Sequence, residues 1–214
     1  MTRTISGSVA KGGEEPFKFV ANYRCLDFVN TESKKSGEII DLLRTCEDFV
    51  KWLEFAKLFE RHRLNPYPKG MGRDSGERLF KQAVRFRDVL DKMASQIVAG
   101  HEVPRSALQA INALIRRPLG TTRLVKTSQG YSRRFEPDLS QETQLLVPIA
   151  QSAADLLCGA DRSRVKQCAN PGCGAFFYDT SRNRRRRWCS ASTCGNRMRV
   201  SAFYERHRKG ENLE

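Results

Sequence analysis

"CANPGCGAFFYDTSRNRRRRWCSASTCGNR", residues 168–197, carries four of the chain's seven cysteines as C-x4-C, fifteen residues, C-x4-C. Two close pairs separated by a short insert have the spacing of a structural zinc site, in which Cys168, Cys173, Cys189 and Cys194 each offer one thiolate. Two other readings compete, a redox pair and unrelated thiols. Redox motifs commonly place two residues between their cysteines, and unrelated thiols seldom repeat one spacing. A four-thiolate shell has no open position, so such a zinc holds shape and does not activate water.

The flanks extend this reading. Pro171 and Gly172 suit a tight knuckle between the first two cysteines. "AFFYDTSRNRRRRWC" predicts strand, turn and strand, with Ser181, Arg182 and Asn183 at the turn. "CGNRMRVSAFYERHR" predicts a helix with Met198, Ala202 and Phe203 or Tyr204 facing inward. Knuckle, hairpin and helix around one ion form a treble-clef-like module. A segment this short and polar lacks an adequate hydrophobic core, and zinc binding of about 10–16 kcal/mol in small modules is enough to order it.

Charge is concentrated in the same region. The chain of 214 residues has 38 Lys and Arg against 24 Asp and Glu, net +14. Residues 161–214 hold 13 basic and 5 acidic residues, net +8, so a quarter of the chain carries more than half of the excess. A surface of this kind attracts polyanions, nucleic acid first. Arg182, Arg184, Arg185, Arg186, Arg187, Arg197 and Arg199 are the candidate DNA contacts, because the planar guanidinium grips phosphate in bidentate fashion. On a strand, Arg184 and Arg186 share one face and Arg185 and Arg187 the other. A second role is open to these arginines. Four thiolates and Zn2+ sum to −2, and nearby guanidinium groups stabilise that cluster. Arg197 is thus a DNA contact or a brace, and Asp179 is a partner for Arg197 or for a hairpin arginine. Trp188 either stacks on a base or packs over the metal module.

Upstream, the pattern is helical. Residues 1–16 are polar and glycine-rich and read as a flexible arm. Residues 17–33 contain a first core helix. Thr45 and Asp48 form a capping-box-like start to a helix with Phe49, Trp52, Leu53, Ala56 and Phe59 on one face. A loop rich in Pro and Gly follows. Ser75 is the expected cap of a long helix carrying Leu79, Ala83, Phe86, Leu90, Ala94 and Ile97 and stopped by Gly100. A shorter helix after Pro104 carries Leu108, Ile111, Leu114 and Ile115 and ends by Pro118, and residues 122–137 read as a β-hairpin around Gly130. Over 139–159 a helix is expected, either kinked at Pro148 or beginning near it. The expected fold class is therefore mainly α with a small β-hairpin: a helical domain over 17–160 and a treble-clef-like four-cysteine finger over 161–214.

Other function classes find little support. The chain has no phosphate-binding Gly-rich loop, no H-E-x-x-H and no nucleophile elbow, and His62, His101 and His207 stand beside no evident nucleophile. An enzyme is not expected. No stretch is apolar enough for a secretory h-region or a membrane span, which leads to a cytoplasmic expectation. There, Cys25, Cys46 and Cys158 read as buried free thiols. Binding of DNA is the leading reading, and an adaptor for RNA or protein partners is the alternative.

Residues 168–197 closely resemble the CGNR zinc finger, named for residues 194–197. "CLDFVNT" (25–31), "LLRTCEDFVKWLEFAKL" (42–58), the 77–104 helix and "LVPIAQSAADLL" (146–157) resemble the accompanying ABATE domain more loosely. The resemblance implies a stress-induced bacterial transcription regulator, with Cys168, Cys173, Cys189 and Cys194 as zinc ligands, a finger that binds DNA and an upstream domain that senses a small-molecule effector. Such regulators commonly form dimers. In "CLDFVNT", Asp27, Asn30 and Thr31 are polar groups inside an apolar run. One reading puts them in a ligand pocket with Arg85 or Arg87, and the other has them cap a helix and join it to a loop.

Overall fold

The computed structural model describes residues 16–35, 38–59, 61–64, 72–116, 120–127, 130–137 and 141–211. The expected arm, apart from Pro16, and residues 65–71 of the Pro/Gly-rich loop lie outside the described residues.

The centre of the fold is the short helix α1 (Arg24–Val29), in which Cys25, Leu26, Asp27, Phe28 and Val29 are all buried. A helix buried all round needs neighbours on every side. It packs against α4 (Arg73–Val98), α6 (Val147–Gly159) and the finger strand β6 (Phe176–Tyr178). Phe28 meets Trp52 at 5.0 Å and Phe49 at 5.8 Å between ring centroids, so α2 (Cys46–Phe55) closes another side. The Thr45 hydroxyl accepts from the Asp48 N–H as the capping pattern predicts, while the Asp48 carboxylate accepts from Arg44 N instead of Thr45 N.

The long helix α4 buries Leu79, Ala83, Phe86, Leu90, Ala94 and Ile97, the predicted face, and adds Arg87 and Met93. Its start differs from expectation: Gly72 is the cap, and Ser75 sits inside the first turn with its hydroxyl accepting from Arg78. Gly100, at φ +75°, follows the last turn, where a residue without a Cβ adopts that conformation at least cost. In α5 (Arg105–Ile115), Ala107 and Ile111 are the buried residues; Leu108 and Ile115 are exposed. A 3-10 turn over Glu142–Leu146 precedes α6, and Pro148 lies in the first turn of α6, where its missing N–H costs nothing. The helix therefore begins at Val147, next to the proline, the second of the two expectations.

Small antiparallel hairpins complete the fold. β1 (Glu32–Lys35) pairs with β2 (Glu38–Asp41), and β3 (Gly120–Thr127) pairs with β4 (Gly130–Pro137) as the expected hairpin at Gly130. The third pair, β5 (Val165–Gln167) with β6, belongs to the finger. Buried residues from Phe17 to Cys194 form one hydrophobic cluster, so Phe176 and Phe177 of the finger share the core of the helices. Cys25 and Cys46 are buried, but Cys158 is exposed at the end of α6, against expectation. Among the described residues no helix is long and apolar enough to cross a membrane.

Candidate metal centre and its basic rim

The Sγ atoms of Cys168, Cys173, Cys189 and Cys194 all lie within 4.8 Å of one another. Cys189 Sγ is 3.6 Å from both Cys173 Sγ and Cys194 Sγ. That is far beyond a disulfide length, and close to the ~3.8 Å edge of a tetrahedron built on ~2.3 Å Zn–S bonds. Unassisted thiolates do not gather this closely. A hydrogen bond from Cys189 holds the Cys173 thiol down to about 5, while that same contact and burial push Cys189 up. A dication inside the cluster resolves the conflict, because every sulfur is then a ligand and none needs a proton. The donor set fits one structural zinc.

The scaffold around the sulfurs is local. The knuckle closes through Cys168 N to Ala175 O (2.8 Å) and Cys173 N to Asn170 O (2.9 Å). Cys189 N donates to Cys168 Sγ at 3.4 Å, a contact that favours the thiolate. A single π turn, Ala191–Gly195, carries Cys194 and leads into α7 (Asn196–Glu211); the Ser190 hydroxyl caps it by accepting from Thr193 N. A Cβ at position 195 would stand 3.0 Å from Trp188 Cδ1, so any larger residue there crowds the indole that packs on Gly195. Trp188 is half-buried against the core, which favours its packing role.

The predicted hairpin is corrected. Residues 184–187 form no strand, because both edges of β6 are already taken. β5 covers one edge. On the other, Phe176 N donates to Asn30 Oδ1 and Phe176 O accepts from Asn30 Nδ2, both at 2.8 Å. Tyr178 N donates to Ala21 O and Tyr178 O accepts from Asn22 Nδ2, both at 2.9 Å. The returning chain instead wraps around Asp179. Its carboxylate accepts from Lys166 Nζ (2.6 Å), Arg186 N (3.0 Å) and Ser181 N (2.9 Å). Burial pushes this carboxyl up, yet the Lys166 ammonium, the Ser181 hydroxyl and these N–H groups together hold it well below the usual range. Asp179 therefore pairs with Lys166, and Arg197 is not among its partners. Lys166 also donates to the carbonyl of Arg184, which stands at φ +54°. Cysteine spacing carries no hint of Lys166; its only sequence signal is its place two residues before Cys168. Asp179→Asn is expected to lower stability by about 3 kcal/mol in chemical denaturation at neutral pH, with zinc stoichiometry still one per chain, because Lys166 loses a buried charge partner.

The arginines divide. Arg186 is half-buried. Its guanidinium lies 4.4 Å from the Phe177 ring and donates to Trp188 O (2.9 Å), Val20 O (2.9 Å) and Cys189 O. It clamps the return segment to both the finger and the segment before α1. Arg182, Arg184, Arg185, Arg187 and Arg197 are exposed. Arg184 pairs with Asp161 at 3.1 Å, a surface contact of small energy. Arg187 lies 5.1 Å over Trp188. Arg199 is exposed and folds back on Gly195 O and Ala191 O.

The upstream candidates Asp27, Asn30 and Thr31 are each hydrogen-bonded to neighbouring segments. Asp27 accepts from Val20 N, Ala21 N and Arg24, fixing the entry to α1. Asn30 joins the finger as described. Thr31 Oγ1 donates to Phe28 O and accepts from Arg87. Arg85 is exposed on α4, whereas Arg87 is buried. These side chains are engaged in joining α1, the β1–β2 hairpin and the finger.

Two family models match the chain. ABATE, described as "Putative stress-induced transcription regulator", covers residues 22–160, and the CGNR zinc finger covers residues 164–207. Both are regulatory or zinc-finger types and neither is an enzyme family. No curated protein matches the chain. With a helical body over the first match and four converging thiolates in the second, the chain belongs to the ABATE family and carries a C-terminal CGNR zinc finger with one structural zinc.

Proposed function

We propose that the protein is a transcription regulator that binds duplex DNA through the rim of its zinc finger. The supporting observation is the exposed set Arg182, Arg184, Arg185, Arg187 and Arg197 on a module anchored both by four sulfurs and by the α1 segment. Anchoring spares the ordering cost of a free basic loop, so cationic charge is presented to phosphate in one place. In this reading residues 161–214 contact DNA, residues 17–160 carry an effector or dimerisation role, and the protein works in the cytoplasm.

Titration with duplex DNA at several salt concentrations tests it. Each phosphate contact contributes about 0.9 to the slope of log K against log salt. Changing Arg182, Arg184, Arg185 and Arg187 to Gln is expected to flatten that slope by up to about 3.6 and leave zinc content unchanged. Arg186→Gln is expected to lower stability instead, since its guanidinium is spent on carbonyls and Phe177. Normal binding by the fourfold variant overturns the proposed surface. A preference for RNA over duplex DNA in the same titration assigns the rim to the adaptor reading.

A further inference from the structure

The last helix leaves the finger and meets little else. α7 packs on the turn Ala191–Gly195, and every residue from Arg199 to Arg208 is exposed. Its apolar side chains are nevertheless ordered by period. Val200, Phe203, Tyr204 and His207 recur at i, i+3, i+4 and i+7 and so lie on one face. Val200, Phe203 and Tyr204 are 46%, 50% and 68% exposed. The rings touch one another: Phe203 is 4.2 Å from His207 and 5.8 Å from Tyr204. At about 100° per residue, Arg199 and Arg206 run along one flank of this stripe and Arg197 and Arg208 along the other. Half-buried Met198 and the acidic Glu205 fall on the opposite side.

We propose that α7 is a groove-reading helix, with the Val200–His207 stripe on base edges in the major groove and the arginine flanks on the two phosphate walls. The inference rests on the DNA-binding reading above and deepens it. Charge complementarity selects the occupant. A stripe walled on both sides by arginine meets a polyanion in register, whereas a second copy of α7 on the same face would bring four arginines against four. Size agrees. A helix about 10–12 Å across fits a major groove about 12 Å wide. Its 16 residues span about 24 Å, some two-thirds of a duplex turn. The helix start is fixed by Cys194, two residues before Asn196, so the zinc sets its angle of entry. Val200 and the rings offer apolar contact to thymine methyl groups, a means of base readout that phosphate contacts lack.

The test uses the full chain and a duplex recovered from a random pool, with a scrambled duplex of equal composition. The variant Val200→Ala, Phe203→Ala and Tyr204→Ala keeps helix propensity and touches no metal ligand; zinc stoichiometry and melting temperature serve as folding controls. It is expected to lose about tenfold or more of the preference for the recovered over the scrambled duplex, with the salt slope nearly unchanged. Arg199→Gln with Arg206→Gln is expected to flatten the slope by about 2 on both duplexes. Unaltered sequence preference in the alanine variant overturns the inference while leaving DNA binding intact, as does a wild-type chain that binds DNA without preference. Failure of the wild-type chain to bind any duplex overturns the DNA-binding reading itself. Loss of binding to phosphatidylserine vesicles, or of a dimer in sedimentation, with DNA discrimination retained, assigns the stripe to lipid or to a second copy.

Discussion

Replacing Cys168 and Cys189 together by serine is expected to abolish zinc binding and to destabilise the helical body as well as the finger. The two substitutions remove half of the thiolates, and structural zinc in modules of this size contributes about 10–16 kcal/mol. That is comparable to the whole stability of a typical domain, about 5–15 kcal/mol. The effect spreads because the boundary is closed by hydrogen bonds from side chains and backbone to backbone groups on the other side. Asn30 grips Phe176 at two points, Ala21 and Asn22 hold Tyr178, and Arg186 reaches Val20. Phe176 and Phe177 are buried in the same cluster as Leu26 and Phe28. Metal analysis should give one zinc per wild-type chain and none in the variant. Thermal unfolding of the wild type should show a single transition that falls steeply with chelator. A variant that contains no metal and melts like the wild type would contradict the structural role of the site.

Arg87→Met is expected to cost about 3 kcal/mol, or roughly 6–12 °C in melting temperature, while Arg85→Ala changes stability by less than about 0.5 kcal/mol. Glu32 and Asp41 face each other across the β1–β2 hairpin, a pairing that like charges oppose. Arg87 resolves it. Its two Nη atoms bind Asp41 at 2.7 and 2.6 Å, and it also reaches Glu32 at 3.2 Å and Thr31 at 3.0 Å. Removing the cation leaves two opposed carboxylates beside the core. Changing Glu32→Gln and Asp41→Asn in the Arg87→Met background should recover much of the loss, since the repulsion then disappears. A free energy of unfolding unchanged by Arg87→Met alone would mean that the network carries no net stability.

The cysteine pairs, the α4 face and the Gly130 hairpin were legible because each rests on local rules: ligand spacing, a 3.6-residue period, a turn residue between two strands. The misreadings share one cause. The 184–187 segment follows a turn signal as a return strand would, but strand formation needs a vacant edge, and residues 20–30 occupy it. Met198, Ala202, Phe203 and Tyr204 have helical spacing, yet only Met198 turns inward, because periodicity says which residues share a face and not what lies opposite. Arg85 and Arg87, two residues apart on one helix, point different ways for the same reason.

The sequence by itself determined the metal chemistry, the placement of charge and most helical elements, all set by residues close together in the chain. Only the tertiary structure decided which polar groups are structural. Asn30 is 146 residues from Phe176, and Arg186 is 166 from Val20. No local pattern encodes such pairs, for they exist only once the buried backbone of one part must find its hydrogen-bond partners in another.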